Sequence, residues 1–287
     1  MKKIPVRQIA PANQDIHTQA RFNIRKVGDI TRGGDLYHGL HRHDFNFILL
    51  IEEGQGTHEI DFVSYKVQDR SLFMLRPGQV HQLELKAGAK GYLLESHPRF
   101  YQAAGKEALH RVRKAWSKGH CRLTSQSFDR LHELLGNIYE EYIGKEEGFL
   151  DAIKANLDLF FIEFIRQSPD PKGSPQHKNS YSLERLEEFQ DLLEKHIAEN
   201  KQVSFYIQRM NLSAYQLNEV TRTTIGKTAS EMINEQILLE GRRYLLGTTH
   251  QIKVVADLLG YEDVSYFIRF FKKHTGLTPE AYRAKFG

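Results

Sequence analysis

Two groups of side chains in this chain are spaced for chemistry. The first is His41, His43 and His81. His41 and His43 lie two apart, so on a strand they point to one side, and His81 follows a Pro-Gly turn and can supply a third imidazole. Converging imidazoles can ligate a metal ion, hydrogen-bond a small molecule as donors and acceptors, or pack as satisfied core groups. Tyr37, just upstream, adds a hydroxyl to the same neighbourhood. The second group lies near the C-terminus. At 100° per residue, Ser265, Arg269 and Lys272 share one face of a helix, with Lys273 beside them, while Phe267, Phe270, Phe271 and His274 occupy the opposite, core-facing arc. A guanidinium and a small hydroxyl on a solvent face can read base edges, and flanking ammonium groups can meet phosphates.

The elements that must hold these groups are legible around them. Asp263 is placed to cap the C-terminal helix, Gly276 to end it, and Pro279 to start another. The apolar run Ile252–Leu259 precedes it across Gly260-Tyr-Glu, which makes a helix-turn-helix. The pattern also occurs about fifty residues earlier. Val203–Met210 is a first helix, Asn211-Leu212 the turn, and Ser213 the cap of a second helix ended by Gly226. On that helix Leu217, Val220 and Thr224 share one face, and Tyr215, Asn218, Glu219 and Arg222 the other. Ser230–Leu246 reads as a long helix connecting the two units.

The string Gly260-Tyr-x-Asp-x-Ser-Tyr-Phe-x-Arg-x-Phe-Lys-Lys-x-x-Gly-x-Thr-Pro-x-x-Tyr-Arg283 resembles the paired helix-turn-helix domain of AraC/XylS-family transcription regulators, over residues 180–286. The resemblance implies two recognition helices in successive major-groove segments, about 34 Å apart. Tyr215, Asn218 and Glu219 would face base edges, with Arg222 nearer the backbone. In the second helix Arg269 would be the main reader, Ser265 a secondary one, and Lys272 and Lys273 phosphate contacts. Family members usually carry a bulky apolar residue where Thr221 stands.

Residues 20–100 alternate apolar runs with turn signals. Phe45–Ile51, Gly56–Phe62 and Ser71–Leu75 are strand-like, separated by Glu-Glu-Gly-Gln-Gly, the stretch 64–70 and Arg-Pro-Gly-Gln. The strings Leu40-His-Arg-His-Asp-Phe45 and Asp69–His81 resemble the two motifs of cupin barrels. Metal-binding cupins add a carboxylate a few residues after His-x-His; here that position is Phe47, with Asn46 beside it. A 2-His-1-carboxylate metal site cannot be assembled from these strings, so no metal, cofactor or catalytic residue is assigned. His41, His43, His81 and Tyr37 are the candidate effector contacts.

Past the barrel, Arg99–Arg122 is strongly basic, which fits a solvated face, an anionic effector site or an auxiliary DNA contact. Two amphipathic helices follow. Ser125–Tyr142 carries Phe128, Leu131, Leu135, Ile138 and Tyr142; Glu146–Arg166 carries Phe149, Ile153, Leu157, Phe160, Phe161 and Phe164. Their apolar faces fit packing on the barrel or an intersubunit seam. Residues 167–179, with three prolines, read as a linker.

The chain of 287 residues is thus expected to be an α+β multidomain protein. The parts are a cupin-like barrel (1–100), a helical and dimerisation region (101–166), the linker (167–179) and an all-α domain with two helix-turn-helix units (180–287). The expected function is sequence-specific regulation of transcription by a small-molecule effector bound in the barrel. The competing reading is a cupin enzyme, an isomerase or metal-dependent oxygenase, with an appended DNA-binding domain. Double-stranded DNA, the effector, RNA polymerase and a second copy of the chain are the expected partners. No apolar stretch approaches membrane-spanning length, and a single cysteine, Cys121, fits a reducing compartment, so the cytoplasm is the expected location. The net charge of +4 does not identify a DNA-binding part, because residues 181–287 hold as many acidic as basic side chains.

Overall fold

The computed structural model describes residues 6–7, 9, 22–167 and 180–286. They fall into two compact units, one drawn from Pro5–Pro171 and the other from Lys172–Gly287. Apart from Gln167, the expected linker 167–179 lies outside the described residues.

In the first unit the strands are β1 (Val6–Arg7), β2 (Phe22–Lys26), β3 (Leu36–His43), β4 (Asn46–Glu53), β5 (Gly56–Ile60), β6 (Val63–Val67), β7 (Ser71–Leu75), β8 (Val80–Leu85), β9 (Lys90–Ser96) and β10 (His120–Arg122). They form two five-stranded sheets, in the orders β1-β3-β8-β5-β6 and β10-β7-β4-β9-β2. The central strands of the second sheet are continuous apolar runs because both of their faces are covered. Phe47, Leu49 and Ile51 of β4 and Phe73 and Leu75 of β7 meet Leu83 and Leu85 of the first sheet. Ile48, Leu50, Leu72 and Met74, the alternate residues, face helices.

Those helices are α2 (Lys106–Lys118), α3 (Ser125–Gly144) and α4 (Phe149–Gln167), preceded by a short α1 (Val27–Thr31). Phe128, Leu131, Leu135 and Ile138 of α3 and Ile153, Leu157, Phe160, Phe161 and Phe164 of α4 share one core with the outer sheet face. The apolar stripes that suggested an intersubunit seam are therefore filled within the chain; only Ile143 and Leu159 of these two helices remain as large exposed apolar groups among the described residues. The basic segment Arg99–Arg122 folds as α2 and the edge strand β10, with Ala115 buried and Val112 and Trp116 packed on the same core.

The stretch 64–70 expected to be a turn is mostly strand β6. The actual hairpin turn is Asp61-Phe62, both with positive φ (46° and 69°), joining Ile60 to its partner Val63. Two-residue turns of this kind favour Asn and Gly, so a phenylalanine there hides the turn from a sequence reading.

The second unit contains α5 (Ser180–His196), α6 (Val203–Met210), α7 (Ala214–Ile225), α8 (Ala229–Gly247), α9 (Ile252–Leu258), α10 (Val264–Thr275) and α11 (Pro279–Phe286). Each boundary has a local cause. Ser213 and Gln216 form a capping box at the start of α7, and Thr228 and Glu231 another at α8. Asp263 accepts from the Ser265 amide, and Gly226 and Gly276 end α7 and α10 in the left-handed conformation. Among the described residues no helix is long and apolar enough to cross a membrane.

Candidate functional site

The barrel places His41 and His43 on β3, His81 opposite them on β8, and His58 on the next strand, β5. All four are buried. His43 Nε2 lies 2.5 Å from His81 Nε2, and His81 Nδ1 lies 2.7 Å from His58 Nε2. His41 Nδ1 is 2.7 Å from the Gly39 carbonyl oxygen, which makes it the donor nitrogen and leaves Nε2 as the lone pair. Burial holds these imidazoles neutral: His41 falls to about 4, His43 and His58 to about 3, and His81 well below its ordinary value. His43 Nδ1 and His58 Nδ1 are buried without a hydrogen-bond partner among the described residues.

Two sequence expectations change here. Tyr37 does not join the cluster; it is 68% exposed. A β-bulge between His38 and His41 shifts the register by one, so strict alternation back from His41 fails and His38, not Tyr37, sits on the interior side, 5.9 Å ring to ring from His41. His58 joins the cluster although no motif marked it. Its only sequence signal is alternation with Ile60 on a short strand. Phe47, the position of the missing carboxylate, does lie at the site. Its ring centroid is 5.4 Å from that of His43 and 5.3 Å from that of His81.

A second polar group absent from the sequence reading lies on β2 and β9. Glu95, 7% exposed, accepts hydrogen bonds from Asn23 Nδ2 and an Arg25 guanidinium nitrogen, both at 3.0 Å. Arg7 on β1 pairs in register with His43, and its charge acts on His38, His41 and Glu95. Buried Asn23, His41, His43, His58, His81 and Glu95 give an otherwise apolar barrel a strongly polar interior.

In the helical unit, Tyr215, Glu219 and Arg222 are exposed on α7, and Ser265, Arg269, Lys272 and Lys273 on α10. Asn218 is different. Its Nδ2 donates to the Ala214 carbonyl and its Oδ1 accepts from the Ala229 amide, both at 3.0 Å, so the amide ties α7 to the first turn of α8. Thr221, not Thr224, completes the buried face with Leu217 and Val220; its hydroxyl donates to the Asn218 carbonyl at 3.3 Å, which lets a polar residue sit fully buried. On α10, Phe267 and Phe271 are fully buried and Phe270 partly, whereas His274, expected in the core arc, is exposed one turn past Phe270, its ring tilted against that of Phe270 at 4.6 Å between centroids. Tyr266 was missed. It is 62% exposed, and the Arg269 guanidinium lies 4.7 Å from its ring centroid. Its phase, off the apolar arc, was the available signal.

Residues 30–160 match the AraC-like ligand binding domain, and residues 206–285 match a helix-turn-helix domain. The chain is a member of the AraC/XylS family. Among its relatives is the HTH-type transcriptional activator RhaR of Pectobacterium atrosepticum, 25% identical over 256 residues and covering 86% of both chains. Another is RhaS of Salmonella arizonae, 22% identical over 249 residues, covering 85% of this chain and 86% of that one. Among solved structures, ToxT from Vibrio cholerae O395 aligns over 93% of this chain and 97% of its own, with 13% identity and a TM-score of 0.39. As an AraC/XylS-family protein, the chain is a DNA-binding transcription regulator with an N-terminal ligand-binding domain.

Proposed function

We propose that this regulator binds promoter DNA through Tyr215, Glu219, Arg222, Tyr266, Ser265, Arg269, Lys272 and Lys273, and that a small polar effector held in the barrel sets its occupancy. The observation that carries the effector reading is the set of buried nitrogens without partners, His43 Nδ1, His58 Nδ1 and Arg25 Nε, among the described residues. An unpaired buried polar group costs about 1–3 kcal/mol, so a barrel selected for stability alone would hold apolar side chains there. A polar ligand supplies the missing partners. The protein then acts where promoter DNA is, in the cytoplasm, with RNA polymerase as its further partner. A second copy of the chain would double the DNA contacts, although the filled stripes of α3 and α4 no longer argue for that pairing.

Fluorescence anisotropy on promoter fragments, with a panel of small hydroxylated and carboxylated metabolites, tests this. The compound that changes DNA affinity in the wild type should have no effect on the His41→Ala/His81→Ala double variant. An equal response in that variant puts the effector site outside the histidine cluster.

A further inference from the structure

The histidine cluster is built more tightly than hydrogen bonding to an organic ligand requires. We infer that His41, His43 and His81 form a three-imidazole site for a divalent transition-metal ion of the zinc class. The inference deepens the reading of the barrel interior as the ligand site and rests on it. The ligand atoms of the three side chains all lie within 4.8 Å of one another, and all three residues are buried. A zinc ion about 2.0–2.1 Å from each nitrogen sets tetrahedral N···N edges near 3.3 Å. The His43–His81 separation of 2.5 Å lies below that edge and no separation exceeds 4.8 Å, so side-chain rotations of about an ångström close the site.

The contacts around two of the three imidazoles have the polarity that metal ligation needs, while His43 Nδ1 has no hydrogen-bond partner among the described residues. A ligating histidine donates its other ring N–H to a carbonyl, carboxylate or similar acceptor, which fixes the tautomer and aims the lone pair. His41 does this through Nδ1 to the Gly39 carbonyl, and His81 does so in the tautomer whose Nδ1–H donates to His58 Nε2. Both arrangements leave Nε2 as the lone pair. His81 Nε2 then meets His43 Nε2 directly, and two neutral imidazoles in that geometry need either a shared proton or a cation between them. A metal ion satisfies all three lone pairs at once.

The site differs from a two-histidine, one-carboxylate centre. The Phe47 ring stands beside His43 and His81 where a carboxylate would have to reach, and Glu95 is engaged by Asn23 and Arg25. Three neutral nitrogens leave one tetrahedral position for water or an exchangeable ligand, the pattern of an open rather than a closed zinc site. Imidazole-only ligation favours zinc, copper, nickel or cobalt over magnesium or calcium.

The test uses the full-length chain without an affinity tag, stripped with chelator and titrated with Zn²⁺ by calorimetry. Co²⁺ serves as a spectroscopic probe of tetrahedral geometry. The expected result is one ion per chain and an intense tetrahedral Co²⁺ absorption. The His43→Ala/His81→Ala double variant should lose both. His58→Gln touches no ligand atom directly and should weaken Zn²⁺ binding by about 10–100-fold with the fold unchanged by circular dichroism. His132→Ala, at a half-buried histidine of α3 packed against Tyr92 and Phe128, should bind like the wild type. Absence of stoichiometric binding by the wild type, or undiminished binding by the double variant, overturns the metal site. The anisotropy assay on promoter DNA separates the two readings. A wild type that binds no Zn²⁺ yet answers an organic effector through His41 and His81 overturns the metal site and leaves the sensor.

Discussion

Replacing Asn218 separates a base-reading role from a structural one. By phase this side chain belongs to the exposed face of α7, yet both ends of its amide are used inside the unit. Asn218→Ala removes the acceptor for the Ala229 amide, at a residue that is itself fully buried. Leaving that N–H without its partner costs about 1–3 kcal/mol, and losing the bond to Ala214 adds about 0.5–1.5 kcal/mol or less, because that end is near solvent. The expected destabilisation is about 1.5–3 kcal/mol. For a unit of about a hundred residues each kcal/mol lowers the melting temperature by about 4–8 °C. Calorimetry of the full chain should therefore show the second unit melting about 6–24 °C earlier. Asn218→Asp keeps the Oδ1 acceptor and places a negative charge at the N-terminus of α8, where it is favourable, so it should retain most of the stability. On DNA, each variant that remains folded should lose affinity equally for selected and scrambled duplexes. If Asn218→Ala melts like the wild type but discriminates poorly between the two duplexes, the amide is free to read adenine and the structural assignment is wrong.

Three further outcomes are expected. Arg269→Ala should cost about 1–3 kcal/mol on the selected site and much less on scrambled DNA, whereas Lys272→Ala should weaken both and reduce the salt slope by about one, read from salt titrations of each variant. Gly260→Ala should destabilise the helical unit severely, because the new Cβ would stand 1.7 Å from the Ala198 carbonyl oxygen at a φ of +69°; a melting temperature within a few degrees of wild type would contradict the geometry. Cys121, whose thiol burial pushes up to about 11, should remain protonated at pH 8, and a thiol reagent should react with it far more slowly in the native protein than in denaturant.

The helical unit was almost wholly legible in the sequence, since its instructions are local. Ser213, Thr228, Asp263, Gly226, Gly276 and Pro279 each act within one helical turn, so the ends of α7, α8, α10 and α11 can be read from neighbouring residues. The faces followed from the 100° rotation, and Phe267 and Phe271 lie where it puts them. The pattern is silent where a side chain bonds across a helix junction, as Asn218 does to Ala229, because no periodicity encodes a partner eleven residues away on another helix.

The barrel divides differently. The resemblance to cupin motifs marked the two strings that bring His41, His43 and His81 together, and the place of Phe47. Only the tertiary structure decided the rest. One bulge in β3 inverted the side-chain phase and moved Tyr37 outward, and one-residue register shifts leave no mark in composition. His58, Glu95 and Asn23 entered the interior, and Arg25 reached Glu95, through strand pairings between segments 23 to 72 residues apart, where the chain order is silent about which strand lies beside which. The apolar stripes of α3 and α4 were plain in the sequence, but whether another molecule or the chain's own sheet covers them is a question of docking. The outer face of β4, β7 and β9 covers them, because that face and those helices could not otherwise be taken out of water.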